Sequence, residues 1–454
     1  MNRKLGGFLL WIPSLAAGTL LAVGGARAED SAAPPTLTPV RLGLAEVIER
    51  ARRASPRLRQ LRALQEGAES QVRGARAERL PQLDLSAQAS RLSHVPEFVA
   101  PFPPPQGPTA IFPDLPNRYA ARLGLTLPLF TGGRIAGRLL AAEKERNASQ
   151  KDLESGAGDL VLEATASYWD LLTSQESERV FREAVASYDA HLQDALARQR
   201  QGLAARNEVL AVQVERDEAE LARIRAASDA EVAQADLLRL LGLGSDSEIE
   251  PTEALEPLKV PREDLEQLVA EALARRNDRA ALKARVEAAE ARVRVERAER
   301  FPQARLSAGY EVLNPNLRFF PPEEGWQDDW DATLSLSLHV FDGGRTAAAV
   351  AAGEADREAT HQQLEELDRQ IRFEVNRRTL DLKNSIEEVE LADKNLEAAK
   401  ENRRVASERF RAGVIPSSEL LDAETALLRA GLQRTTSLSG QRLALARLDR
   451  ALGR

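Results

Sequence analysis

Leu129-Phe130-Thr131-Gly132-Gly133-Arg134 returns as Val340-Phe341-Asp342-Gly343-Gly344-Arg345, 211 residues further along the chain. Ahead of each hexapeptide, apolar residues alternate with polar ones, the period of a strand. After each, 134–200 and 345–411 contain no proline and few glycines, so a helix can run unbroken. The hexapeptide is thus a strand-to-helix turn, and the chain carries it twice. The same offset continues downstream. Arg200-Gln201-Gly202-Leu203 with Glu208 matches Arg411-Ala412-Gly413-Val414 with Glu419, and Leu241-Gly242 matches Leu452-Gly453. Upstream, Leu80-Pro81-Gln82-Leu83-Asp84-Leu85-Ser86-Ala87 returns as Phe301-Pro302-Gln303-Ala304-Arg305-Leu306-Ser307-Ala308 at an offset of 221. The connection between these blocks is therefore ten residues longer in the first copy.

Each copy predicts one order of elements. A helix pair (about 42–79 and 262–299) stops before Pro81 or Pro302. A β-hairpin follows, then a long helix (about 134–200 and 345–411), a glycine turn and a return helix (about 207–241 and 417–452). At about 1.5 Å per residue, a helix of this length extends roughly 100 Å. Val375, Leu382, Val389, Leu396 and Phe410 keep a seven-residue step, broken at Arg403. That step is a coiled-coil seam. Residues 1–28 read as a secretory signal: Arg3 and Lys4, an apolar run from Phe8 to Val23, and the small-x-small exit Ala26-Arg27-Ala28. The alternative is an uncleaved anchor. The first repeat then spans 29–243 and the second 265–454. Residues 244–264, with Pro251, Pro257 and Pro261, form a linker by composition.

Four short stretches alternate with period two, at about 83–92, 119–130, 304–312 and 331–341. About nine residues per strand suits a tilted bilayer-spanning β-strand. Alternation alone equally fits a half-buried soluble sheet. Aromatic placement favours the membrane, since 12 of the 20 aromatics fall within 83–130 and 301–341. Tyr119, Phe130, Phe301, Trp330 and Phe341 flank the strands, as in interfacial girdles. No run after residue 28 approaches the roughly 20 apolar residues of a spanning helix. Four strands cannot close a barrel, and an open edge cannot persist in lipid. The expectation is an oligomeric conduit.

Composition narrows the function. The 454 residues are 43% hydrophobic but only 4% aromatic, which suits long helices in thin layers. The absence of cysteine removes disulfides, thiolate metal sites and thiol catalysis. A net charge of -8, with basic residues dispersed among acidic ones, gives nucleic acid no basic field.

With these motifs in place, the mature length resembles the TolC family of outer-membrane efflux proteins. The duplicated plan, both Gly-Gly-Arg turns and two tip motifs carry the resemblance. The tip motifs run Arg200-Gln201-Gly202 to Glu208-Val209-Leu210 and Arg411-Ala412-Gly413 to Glu419-Leu420-Leu421-Asp422. The resemblance implies a mainly α fold with a small β part: α-barrel hairpins plus four membrane strands per chain. It implies a homotrimer with a 12-stranded barrel among the lipids of the outer membrane of a Gram-negative cell. A 12-helix tunnel would extend through the periplasm. It further implies a periplasmic adaptor and an inner-membrane RND or ABC transporter as partners, with the cargo unspecified. By the same resemblance Glu208, Glu419 and Asp422 narrow the periplasmic entrance. The turn residues Gly202, Leu203, Gly413 and Val414 form the tip that meets the adaptor. The family often has aspartate where this chain has Glu208 and Glu419. Many members carry an acylated N-terminal cysteine, which this chain cannot.

Other readings of the same residues are local or catalytic. Asn207, and Ser417 or Ser418, can cap the return helices, with Glu208 and Glu419 favouring the positive helix ends. Capping explains Asp422 less well. Gly202 and Gly413 supply left-handed stops. His94, His191, His339 and His361 show no metal-ligand spacing. His339 reads as a residue on a strand's polar face. Gly132, Gly133, Gly343 and Gly344 lack the Lys-Ser/Thr of a phosphate loop. Glu365-Glu366 and Glu387-Glu388 read as solvated charge. No enzyme, cofactor or metal site is expected. The readings left beside a conduit are a carboxylate-pair hydrolase and an exported structural coiled coil.

Overall fold

A computed structural model describes residues 40–104, 107–260 and 264–454, so the expected leader at 1–28 and Pro261 lie outside the described residues. The elements follow in chain order: β1 (Val40–Leu42), α1 (Leu44–Ala54), α2 (Pro56–Ala77), β2 (Gln82–Arg91), β3 (Phe98–Pro101), β4 (Pro108–Phe112), β5 (Asn117–Phe130), α3 (Arg134–Arg200) and α4 (Arg206–Leu241). The second half comprises β6 (Ile249–Pro251), α5 (Leu265–Arg275), α6 (Asn277–Ala298), β7 (Gln303–Asn314), β8 (Gln327–Ser337), α7 (Arg345–Arg411) and α8 (Ser417–Leu452).

Glycine sets both ends of the long helices. Gly133 (φ 94°) and Gly344 (φ 86°) precede α3 and α7 in the left-handed region. At the other end, Gly202 donates to Gln199 O and Leu203 to Arg198 O, while Gly413 donates to Phe410 O and Val414 to Arg409 O. This pair of bonds is the Schellman stop, which needs positive φ; Gly202 has 73° and Gly413 has 74°.

The four strands form one antiparallel sheet in the order β2-β5-β7-β8. β5 joins the repeats, pairing Leu123 with Leu85 of β2 and with Tyr310 of β7. The fourth strand differs from the sequence reading of 331–341: it begins at Gln327 and stops at Ser337, which pairs with Gln303. The reason is support. β5 continues to Phe130 because β7 flanks it there, at Ala304. β8 has a partner on one side only, and that partner begins at Gln303. His339 therefore lies beyond the strand, not on its polar face. Tyr119 and Trp330 stand within β5 and β8, near their starts, instead of outside them.

The extra length of the first repeat folds as a second hairpin, β3–β4, which the alternation did not show. Over its described residues 244–260, the proline-rich segment is not a free tether. β6 pairs in parallel with β1, Ile249 beside Val40. The Tyr168 hydroxyl donates to Leu42 O at 3.3 Å and accepts from Glu253 N at 3.2 Å. Gln441 binds both Leu258 N (2.9 Å) and Leu258 O (3.3 Å). Two bonds to one backbone unit seat this strap on α8.

Cores form in each repeat where a short helix pair meets the long helices. Leu42, Val47, Leu160, Tyr168, Leu171, Leu237 and Ile249 bury one; Leu268, Ile371, Val375, Leu448 and Leu452 bury the other. Each fully buried aliphatic side chain contributes about 1.5–3 kcal/mol. Toward the Gly202 and Gly413 turns, α3 packs between α4 and α8, and α8 between α3 and α7. Toward the sheet, α3 packs between α2 and α6, and α6 between α3 and α7. The seam residues Val375, Leu382, Val389 and Phe410 are buried, while Leu396 is half-buried.

Candidate functional site

At the α3–α4 turn the helix start falls at Arg206, with Ala205 as its extended N-cap. Asn207 is consequently inside the helix and caps nothing. At the α7–α8 turn Pro416 takes the cap position, and neither Ser417 nor Ser418 caps α8. Ser417 is buried and turned inward. The side-chain caps expected at these two ends are therefore not formed, because Ala205 and Pro416 hold the cap positions. Glu208 and Glu419 do occupy the first turns. Glu419 and Asp422 are exposed on one face of α8, and Glu208 is half-buried. Among the described residues, none of these three carboxylates makes an ion pair or a side-chain hydrogen bond. Leu203 and Val414, 73% and 64% exposed, carry bare apolar side chains at the turns.

Behind the tip, about two helical turns along α3 and α8, lies a buried polar cluster that neither periodicity nor spacing isolates. His191 of α3, 3% exposed, has Nδ1 2.9 Å from Glu424 Oε2 and Nε2 2.9 Å from Ser417 Oγ, both on α8. Ser187 donates to Glu424 Oε1 at 2.7 Å and accepts from Arg403 Nη2 at 2.8 Å. Tyr188 and Thr425 pair their hydroxyls at 3.1 Å, and burial pushes the Tyr188 phenol up. Phe410 closes the cluster, edge-on to His191 and under the Arg198 guanidinium at 4.0 Å. Arg198 also donates to Phe410 O. Three helices from both repeats are thus tied by side chains. Arg403 was the available signal, because it is the residue that interrupts the α7 seam. Its Nε is buried without a partner among the described residues.

The glycine turns are not equivalent. A Cβ on Gly132 (φ 61°) would stand 2.6 Å from Ala298 O and 2.8 Å from Phe301 Cβ, whereas none on Gly133, Gly343 or Gly344 meets anything within 4 Å. Asp342, where the first repeat has Thr131, accepts from Gly344 N (2.9 Å), Thr346 N (2.8 Å) and the Thr346 hydroxyl. Those donors, the Thr346 hydroxyl first, hold its carboxyl down at about 2.

The sheet has one polar and one apolar face. Ser86, Arg122, Glu311, Ser307 and Thr333 share the first. Leu85 (79% exposed), Leu334, Leu336 and Trp330 project from the second. Exposed apolar area of this extent marks a surface made for a partner or a lipid phase. No helix among the described residues is long and apolar enough to cross a membrane.

Comparison with known proteins agrees with this architecture. The chain is 27% identical to the protein CyaE of Bordetella pertussis over 353 residues, 73% of this chain and 71% of that one. The fold resembles the outer membrane protein VceC of Vibrio cholerae, with a TM-score of 0.76 and 20% identity over 90% of this chain and 96% of that one. It also resembles the open-state MtrE outer membrane channel of Neisseria gonorrhoeae, with a TM-score of 0.73 and 20% identity over 90% and 88% of the two chains. The sequence profile of the outer membrane efflux proteins matches residues 47–243 and residues 268–454, one segment in each repeat. Two matched segments covering most of the chain, on a duplicated frame of strands and long helices, place it: this protein belongs to the outer membrane efflux protein family.

Proposed function

We propose that three copies of this chain form the outer-membrane conduit of a tripartite efflux pump or a type I secretion system. The observation that carries the reading is the alignment of free edges. In the sheet, β2 and β8 each pair on one side. Among the helices, α4 has α3 on one flank and α7 has α8. The first repeat thus owns one edge and the second repeat the other, at every level. Leu210, Val214, Leu221, Ile224 and Val232 of α4 are exposed, as are Phe373, Leu380 and Leu391 of α7. Two different edges that complement each other make a head-to-tail contact, and such a contact closes into a ring when the rotation between copies closes. Four strands per copy give twelve in a trimer, a closed barrel without a bare edge in lipid.

In this reading the apolar sheet face meets lipid and the polar face lines the lumen. The long helices form the periplasmic tunnel. Glu208, Glu419 and Asp422 ring the entrance, and Leu203 and Val414 dock a periplasmic adaptor. An inner-membrane RND or ABC transporter supplies the energy, so the chain itself performs no chemistry. The test is light scattering of the mature protein in detergent, followed by reconstitution in planar bilayers. A trimer that conducts is expected. A stable monomer, soluble without detergent, would overturn the reading and favour an exported structural coiled coil.

A further inference from the structure

Arg122 of β5 lies across the sheet instead of standing out from it. Its ladder partner is Glu311 of β7, whose Oε2 accepts from Nη1 at 3.1 Å. Its Nη2 donates to Asp331 Oδ1 at 2.7 Å, and Asp331 sits on β8, one strand further. To join β5 to β8 the guanidinium must cross β7. It crosses at Gly309, which pairs with Gly124 on one side and Asp331 on the other. A Cβ on Gly309 would overlap Nη2 and stand 2.7 Å from both Cζ and Asp331 Oδ1. Atoms in folded proteins do not approach so closely. Gly124 is the contrast: it neighbours Gly309 on the same face, yet its Cβ would meet only Asp84 O at 3.9 Å. Of two adjacent glycines, one is needed for clearance and the other is not.

We infer that Gly309 is a positioning residue for the conduit: it lets Arg122 lie flat along the polar wall, bound to two carboxylates and withdrawn from the ion path. This rests on the trimeric-barrel reading, in which that wall is the lumen. At this level each protomer then presents Asp84, Glu311, Asp329 and Asp331 against Arg122 and Arg318, a net negative wall that favours cations. Without the clearance, Arg122 would be levered off Asp331, and three long cations would project into the lumen. They would narrow the path and weaken the local cation preference, because charge projecting into a confined lumen acts strongly on passing ions.

The experiment is single-channel recording of purified trimers under a KCl gradient. Gly309→Ala is expected to lower conductance and shift the reversal potential toward anions, Gly124→Ala to change neither, and Gly309→Ala with Arg122→Gln to recover conductance. Recovery is decisive, since a merely bent sheet would not be repaired by removing a charge on another strand. Gly309→Ala trimers that match wild type, or a double variant that fails to recover, overturn the inference and leave the conduit reading intact. If Gly309→Ala does not assemble, Arg122→Gln alone decides: stronger cation preference supports the placement, and no shift refutes it. A wild type that neither trimerises nor conducts fails the conduit reading itself.

Discussion

His191 Nδ1 of α3 lies 2.9 Å from Glu424 Oε2 of α8, with both residues almost fully buried. The contact joins the first repeat to the second along a stretch where neither backbone can bond to the other, because α-helices satisfy their own amides. Nonpolar packing is thin there: the tip cluster of Ala406, Phe410, Ile415, Leu420 and Ala423 is small. Polar side chains therefore fix how the two hairpins lie against each other just behind the Gly202 and Gly413 turns.

Removing one member of this cluster should be costly. Glu424→Ala leaves Ser187 and His191 without their acceptor, and a buried polar group left unpaired costs about 1–3 kcal/mol. Thermal unfolding in detergent should show that loss. Glu387→Ala, on the exposed surface of α7, should stay within about 0.5 kcal/mol of wild type. Equal behaviour of the two variants would mean that the cluster does not hold the hairpins.

The strand-to-helix turns should respond unequally to the same substitution. Gly343→Ala forces a left-handed alanine into open space, a strain of roughly 1–2 kcal/mol. Gly132→Ala carries that strain and adds overlap with Ala298 O and Phe301 Cβ, worth a further 1–3 kcal/mol or so. Outer-membrane yield and unfolding temperature should rank Gly343→Ala above Gly132→Ala. The opposite ranking would contradict the packing of the first turn against α6.

Asp342 should make the start of α7 acid-sensitive. Its folded carboxyl titrates near 2, below the ordinary carboxylate value of about 3.9. A depressed value contributes stability that is present above the unfolded value and lost as pH falls through the folded one. The difference in unfolding temperature between wild type and Asp342→Asn should therefore narrow as pH falls from about 4 to about 2. A constant difference over that interval would show that its hydrogen bonds do not depend on charge.

The tip acids separate electrostatics from helix chemistry. Replacing Glu208 and Glu419 by Gln and Asp422 by Asn should reduce cation selectivity in planar bilayers and weaken block by divalent cations. In the proposed trimer nine carboxylates would otherwise crowd one mouth, and like charges at that density repel strongly. If the acids only stabilise helix starts, the triple variant loses on the order of 0.3–1 kcal/mol per site. Selectivity and block would then stay as in wild type.

The sequence by itself determined the long elements, because their signals are local. Gly133 and Gly344 start helices and Gly202 and Gly413 stop them, since positive φ suits glycine and few other residues. Alternation placed the polar and apolar faces of the sheet, because the side-chain period of a strand is two. The repeat exposed the symmetry. What only the tertiary structure decided depends on residues far apart in sequence. β8 stops at Ser337 because β7 begins at Gln303, which no local pattern in 331–341 contains. Asn207 misses the cap because the chain enters α4 one residue before Arg206, a consequence of how the turn closes. His191 and Glu424 are 233 residues apart, and each alone looks like an ordinary helix residue. Arg122, Gly309 and Asp331 likewise meet only after strand register has been set. Local rules fixed where helices and strands run, and packing between the repeats decided which of their charges meet.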